Sequence, residues 1–341
     1  MSEAPPFWFQ KPGLAAWALS PISAVYGRIT AKRMTLAPKY FSEVPVLCIG
    51  NFIAGGAGKT PTALAIAKVA KKMGLKPGFL SRGYGGSVTL ATLVEPNVHN
   101  AHDVGDEPLS LAALAPTVVS VDRPAGAKLL EEQGVNIILM DDGFQNPSLN
   151  KDRSLVVIDS RRGIGNGYCM PAGPLRANMR TQLAQLSALL LIGRAEAAAP
   201  LVRQVAKMAK PIIQADIHTL TPGKFKGKRV LAFAGIADPT KFHLSLEAAG
   251  AEIVVKRSFH DHHPFSNEDC TELLSRAKAE ELLLVTTQKD HHRLSRMGQL
   301  QEELLEASTP LKIELRFENP KMIEMLIREA ITSVKNRKLG L

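Results

Sequence analysis

The chain has 341 residues, 45% of them hydrophobic and 22% charged; at about 150 residues per domain this suits two globular domains and excludes a disordered, collagen-like or coiled-coil protein. Aromatic residues are only 5%, so the core must be aliphatic and a base-stacking surface is disfavoured. The excess of 42 Lys and Arg over 32 Asp and Glu gives +10, which fits anionic partners: nucleotide phosphates, phosphorylated substrates, acidic lipid surfaces or nucleic acid.

Residues 12–27 are an uncharged run of 16, interrupted by Pro21, and fall short of the about 20 residues a spanning helix needs. Phe7, Trp8, Phe9, Trp17 and Tyr26 lie in or beside it, and Arg28, Lys32, Arg33 and Lys39 follow. This pattern predicts an N-terminal segment, residues 1–40, that is no transmembrane anchor. It either lies as a helix on an anionic membrane surface or packs on the main domain. Cys48, Cys169 and Cys270 form no CxxC pair, which argues against a disulfide framework or zinc ribbon and for a reducing compartment.

Short Val/Ile/Leu-rich runs at 44–50, 78–81, 88–94, 117–121, 135–141, 155–159 and 188–192 read as buried strands. Helical stretches at 61–73, 108–115 and 125–133 separate several of them. The alternation predicts an α/β fold with a doubly wound, mainly parallel sheet of the P-loop NTPase kind over residues 41–221. Thr221-Pro-Gly-Lys-Phe-Lys-Gly-Lys228 marks a boundary. A smaller α/β domain, 222–341, follows, with strands at 230–234, 252–255, 282–286 and 311–316 and helices at 239–249, from 267, and at 320–334. In such sheets ligands bind beyond the carboxyl ends of strands, which directs attention to strand-end residues.

The strongest local signal is Gly50-Asn-Phe-Ile-Ala-Gly-Gly-Ala-Gly-Lys-Thr60, placed between a strand and a helix. Its glycines let backbone N–H groups point at phosphate oxygens, and the helix N-terminus adds partial positive charge. Ile53, Ala54, Gly55, Gly56, Ala57 and Gly58 would cradle the phosphates of ATP, Lys59 would reach the terminal ones, and the Thr60 hydroxyl would ligate Mg²⁺. The usual pattern has glycine where this chain has Ile53. The apolar run 135–141 ends in Asp141 and Asp142, a strand-end acid pair suited to hold Mg²⁺ directly or through water; Asp141 is placed better, with Asp142 sharing the site or orienting a neighbour.

Three further clusters stand out: Ser81-Arg-Gly-Tyr-Gly-Gly86, Asp103-Val-Gly-Asp106-Glu107-Pro108, and Gly163-Ile-Gly-Asn-Gly167 followed by Pro171-Ala-Gly-Pro-Leu-Arg176. Singly, each reads as a loop or helix cap. With Asp-Asp-Gly-Phe-Gln145 and Asp261-His-His263 they form an ordered set, and the sequence resembles the tetraacyldisaccharide 4′-kinase family, the lipid A 4′-kinases of Gram-negative bacteria. The resemblance runs from the N-terminal segment to at least residue 290. It implies transfer of the ATP γ-phosphoryl group to the 4′-hydroxyl of an acylated glucosamine disaccharide 1-phosphate, at the cytoplasmic face of the inner membrane, with a membrane-associating N-terminal helix and no nucleic-acid partner. By motif, Asp106 takes the position of the catalytic acid, His262 its partner, and Arg176 a basic residue of the site. Glu107 and Gln145 fall near the metal and phosphates, while Arg82, Tyr84 and Asn166 fall among substrate-binding positions. Asn146 and Ala177 depart from residues common in the family.

Residues alone leave other readings open. His262 could simply cap a loop before Pro264, and Thr286-Thr-Gln-Lys-Asp290 could either touch the nucleotide or merely join a strand to a helix. A GTPase switch is disfavoured because Lys289 and Asp290 are adjacent, not spaced as NKxD. A partitioning ATPase is disfavoured by Ala54, where that class has lysine. A nucleic-acid-dependent ATPase is disfavoured by the few aromatics and by basic groups gathered at a Trp-rich terminus.

Overall fold

The computed structural model describes residues 4–295 and 297–340. After a short turn of helix at Pro6–Phe9, the elements run α1 (Leu14–Met34), β1 (Val46–Gly50), α2 (Lys59–Lys72), β2 (Pro77–Ser81), β3 (Thr92–Leu93), α3 (Ala101–Val104), α4 (Asp106–Ala112) and β4 (Thr117–Val119). There follow α5 (Arg123–Glu132), β5 (Ile137–Asp141), β6 (Arg153–Asp159), α6 (Met179–Ala184), β7 (Ala188–Ile192), α7 (Ala199–Lys207) and β8 (Ile212–Thr219). The remainder is β9 (Arg229–Ala234), α8 (Pro239–Ala248), β10 (Glu252–Ser258), α9 (Asn267–Ala279), β11 (Leu283–Thr287), α10 (Gln288–Leu294), α11 (Gln299–Ala307), β12 (Ser308–Leu311), β13 (Ile313–Phe317) and α12 (Pro320–Lys338).

Nine strands form one sheet in the order β13-β8-β7-β6-β1-β5-β2-β4-β3, parallel except for β13 and β3 at its edges. The central strands are buried along their whole length, which is why they read as unbroken aliphatic runs. Residues of α1, α5, α6 and α7 enter the apolar cluster on one face. Those of α2, α4 and α12 cover the other. A second sheet, β10-β9-β11-β12, is wholly parallel, with α8 on one side and α9 and α11 on the other. The expected doubly wound sheet with a smaller α/β partner is therefore present.

The expected boundary needs one correction. Residues 222–341 do not form one unit, because β13 pairs antiparallel with β8 and α12 packs on α2 and β6, so the chain leaves for the second sheet and then returns. The expected strand at 88–94 shrinks to Thr92–Leu93, since the glycine-bearing loop before it leaves Leu90 exposed.

The topology places the site. Ile49 of β1 is in register with Asp141 of β5, so the phosphate loop and the acid pair leave the sheet side by side. The carboxyl ends of the two sheets meet: Lys241 of α8 contacts Asp159 at the end of β6 and Gly56 O in the loop, Arg162 pairs with Asp238 at 3.2 Å, and α10 packs on α4. Ligand crevices form at such strand ends.

Candidate active site

The phosphate loop is shaped by Gly55 and Gly58, whose φ of +105° and +88° lie in the region that side-chain-bearing residues avoid. Gly50 is needed for space: a Cβ there would stand 2.3 Å from that of Phe144. The departure at Ile53 has a structural reason. Its side chain is buried in the core beneath the loop, it bridges Leu175, and Ala54 N–H donates to Pro174 O at 2.8 Å. The segment around 163–176 thus braces the loop where a glycine usually stands. Gln182 adds a second brace, donating to Phe52 O and accepting from Gln145, which also donates to Asn51 O at 2.7 Å.

Lys59 opens α2 and lies 3.6 Å from Asp142, and the Thr60 hydroxyl lies 3.4 Å from Asp141. Arg176 grips both Asp142 oxygens at 2.7 and 3.2 Å and lies 3.5 Å from Gln145. Asp142 has a left-handed backbone, φ +53°, which Asp tolerates. The two acids differ in charge environment. Burial pushes the Asp141 carboxyl up to about 7, aided by Asp142 and Glu107 and opposed by Lys59. Burial also opposes ionisation of Asp142, yet Lys59 and Arg176 hold it well below the usual carboxylate range. Beside them sits Arg123, fully buried, donating to Ser120 O at 2.7 Å and pushed down to about 10 by burial.

The second group forms around Asp106, the first residue of α4, which is 4% exposed. His262 Nδ1 lies 2.9 Å from Asp106 Oδ2. His262 has φ +61°, a conformation uncommon for histidine and concentrated at functional sites. Tyr84 leans on the His262 ring, with centroids 5.7 Å apart. Burial raises the Asp106 carboxyl, but hydrogen bonds from His262 and Arg293, with the Arg293 charge, bring it well below its ordinary value. Glu107 is taken by Lys289 at 2.6 Å. Strand β2 lies beside β5, and the loop that leaves it packs Gly83 and Tyr84 against Val104 and Gly105 just before Asp106, so the two groups share one end of the sheet.

The structure therefore brings together Lys59, Thr60, Asp141, Asp142, Gln145 and Arg176, and beside them Asp106, Glu107, His262 and Tyr84. Arg82 is exposed near Arg123, on which its charge acts. Asn166 lines a cleft with Ala237, which abuts Gly56 of the phosphate loop. Its side chain donates to Phe7 O and Ala172 O and accepts from Tyr168 N, so it ties the N-terminal segment to the 163–176 loop. Arg123, Gln182 and Arg293 escaped the sequence reading. Arg123 lies just beyond β4, where the strand-end rule could have found it.

Comparison with known proteins gives the family. The model of the tetraacyldisaccharide-1-P 4′-kinase family matches residues 15–331. A tetraacyldisaccharide 4′-kinase of Agrobacterium fabrum is 52% identical over 339 residues, 99% of this chain and 97% of that protein. One from Rhizobium meliloti is 49% identical, covering 99% and 98%. A crystal structure of LpxK from Aquifex aeolicus in complex with ATP superimposes with a TM-score of 0.72 at 23% identity, covering 93% of this chain and 100% of that one, and so shares the fold. On the sequence match, this chain belongs to the tetraacyldisaccharide-1-P 4′-kinase family.

Proposed function

We propose that this chain transfers the γ-phosphoryl group of ATP to the 4′-hydroxyl of a tetraacylated glucosamine disaccharide 1-phosphate, giving the 4′-phosphorylated lipid A precursor. The observation that carries the reading is the meeting of two sheet ends, where Lys241 of the second reaches Gly56 O in the phosphate loop and His262 and Arg293 of the second bond the buried Asp106 carboxylate. Phosphoryl transfer through a loose transition state needs positioning and charge neutralisation more than a strong base. Gly55–Thr60 backbone donors and Lys59 would hold the triphosphate; Arg176, held by Asp142, would face the same phosphates. The sugar oxygen forms the new bond to the γ-phosphorus as the bond to the ADP oxygen breaks, and Asp106 takes the hydroxyl proton. His262 holds that carboxylate or passes the proton on.

The donor set fits Mg²⁺. Asp141 Oδ1 is buried without a hydrogen-bond partner beside the Thr60 hydroxyl. Among the described residues no cage of three or more His, Cys, Asp or Glu exists, so a divalent ion would take its remaining ligands from phosphate oxygens and water, as Mg²⁺ prefers. When bound, it neutralises phosphate charge. Asp141 would be its principal protein ligand with Thr60; Asp142, Glu107 and Gln145 would orient their neighbours.

The N-terminal helix supports work at the cytoplasmic face of the bacterial inner membrane. Among the described residues no helix is long and apolar enough to cross a membrane. In α1 small residues are buried, Ala16, Ser23, Gly27 and Ala31, while Leu14, Trp17, Ile22, Val25 and Ile29 are exposed on the opposite side. Arg28 and Lys32 stand on that exposed side. Large apolar groups outward with cations beside them suit an anionic lipid surface. The test is transfer of label from γ-labelled ATP to a lipid A precursor lacking the 4′-phosphate, in detergent micelles. Lys59→Ala and Asp106→Ala should each abolish most of it; full turnover by both variants would sink the assignment.

A further inference from the structure

The strand-end motif Thr286-Thr-Gln-Lys-Asp290 and the helix it opens, α10, belong to the second sheet yet reach the acid of the first. Arg293 is 5% exposed, and its guanidinium bonds in two directions. Nε and Nη2 donate to the Asp106 carboxylate, Nε at 3.1 Å from Oδ2. Nη1 donates to Asp290 at 2.7 Å, to Gly235 O at 3.2 Å and to His263 O at 3.3 Å. Asp290 is itself fixed by Gly235 N–H and by the Thr287 hydroxyl at 2.7 Å. Four positions earlier on α10, Lys289 takes Glu107, the residue next to Asp106. Two adjacent carboxylates of α4 are thus held by two cations one helical turn apart on α10.

We propose that Arg293 is the positioning residue of the Asp106–His262 pair, holding the carboxylate in the one orientation that keeps Oδ2 against His262 and docking the second sheet on α4 at the site. This rests on the reading of Asp106 as the proton acceptor. A guanidinium suits the task because its planar fork bonds a carboxylate and a separate counter-ion at fixed angles, whereas an ammonium is a point charge without that geometry. The arrangement gives the strand-end motif a function other than touching nucleotide: it anchors the guanidinium. A carboxylate freed to rotate would leave the acceptor misplaced, and such displacements cost about 10²-fold in rate.

The experiment is a two-background comparison on the full chain, with labelled ATP and the micellar lipid acceptor. Arg293→Ala should lower kcat about 10²-fold while leaving KM for ATP within about twofold, and Arg293→Lys should restore part of kcat. In an Asp106→Ala background, Arg293→Ala should cost less than about threefold more, because residues acting as a unit are non-additive. A purely structural arginine would cost the same factor in both backgrounds; that result, or an unchanged kcat in Arg293→Ala, overturns the proposal. If Asp106→Ala alone keeps full turnover, the acceptor assignment fails instead. Thermal melts confirm folding, and Arg293→Gln replaces the alanine variant in the same comparison if alanine does not fold.

Discussion

Alanine at Gly58 would disturb the phosphate loop in two separable ways. Gly58 caps α2 with φ +88°, and a Cβ there would stand 2.6 Å from Ile192 Cδ1. The left-handed backbone costs an L-residue about 1–2 kcal/mol. The clash with a buried side chain adds about 1–3 kcal/mol unless Ile192 rotates away. Gly58→Ala should therefore lose about 2–5 kcal/mol in urea denaturation. If the loop shifts to relieve the backbone strain, KM for ATP should rise by about 5–30-fold, since 1.4 kcal/mol is about a factor of ten. Two controls separate the contributions. Ile192→Val removes the clashing methyl at a cost of about 0.5–1.5 kcal/mol alone, so the double variant should be more stable than the sum of the singles. Gly55→Ala, with φ +105° and open space around its Cβ, should show the backbone strain without the clash. An unchanged urea midpoint and KM in Gly58→Ala would refute the reasoning, and strict additivity with Ile192→Val would refute its steric half.

Replacing Trp17, Ile22 and Ile29 together by serine should lower recovery with anionic vesicles by at least about tenfold in flotation, with ATP affinity unchanged; equal recovery would contradict the lipid-facing side of α1. Trp8→Phe removes the indole hydrogen bond to Pro171 O, 2.9 Å long, and should destabilise the protein by about 1 kcal/mol in urea denaturation; an unchanged midpoint would deny that the N-terminal segment braces the 163–176 loop. Asp141→Asn should raise the Mg²⁺ concentration for half-maximal activity by at least about tenfold. An unchanged requirement would move the metal away from β5.

The sheet was legible in the sequence where burial was complete. The strands ending at Gly50, Asp141 and Ile192 are apolar up to their last residue because both faces are covered, and the glycine-rich loop announced its own location. Elements with mixed surroundings were harder to find. Strand β8 alternates buried and half-exposed residues near the sheet edge, and β12 contains Pro310, which reads as a strand breaker but is tolerated in an edge strand. Helix α10, Gln-Lys-Asp-His-His-Arg-Leu, shows no apolar stripe because its buried side carries Asp290 and Arg293, a polar network that a hydrophobic pattern cannot reveal. The same cause hid Arg293 and Arg123: both are buried charges, the first bonded to Asp106, 187 residues away in sequence, as well as to Asp290, and the second to a backbone carbonyl. Asn166 is a different case. Its motif marks a substrate position, and to that the structure adds one side-chain hydrogen bond to Phe7 O of the N-terminal segment and two within its own loop, to Ala172 O and from Tyr168 N.

A crystal structure with a non-hydrolysable ATP analogue and Mg²⁺ tests the account most directly. The terminal phosphate should lie within hydrogen-bonding distance of Lys59 Nζ and the backbone donors of Gly55–Thr60, the cation on Thr60 and Asp141, and Asp106 should face the γ-phosphorus with His262 behind it. A nucleotide bound away from that bend, or with its γ-phosphate turned from Asp106, would contradict it.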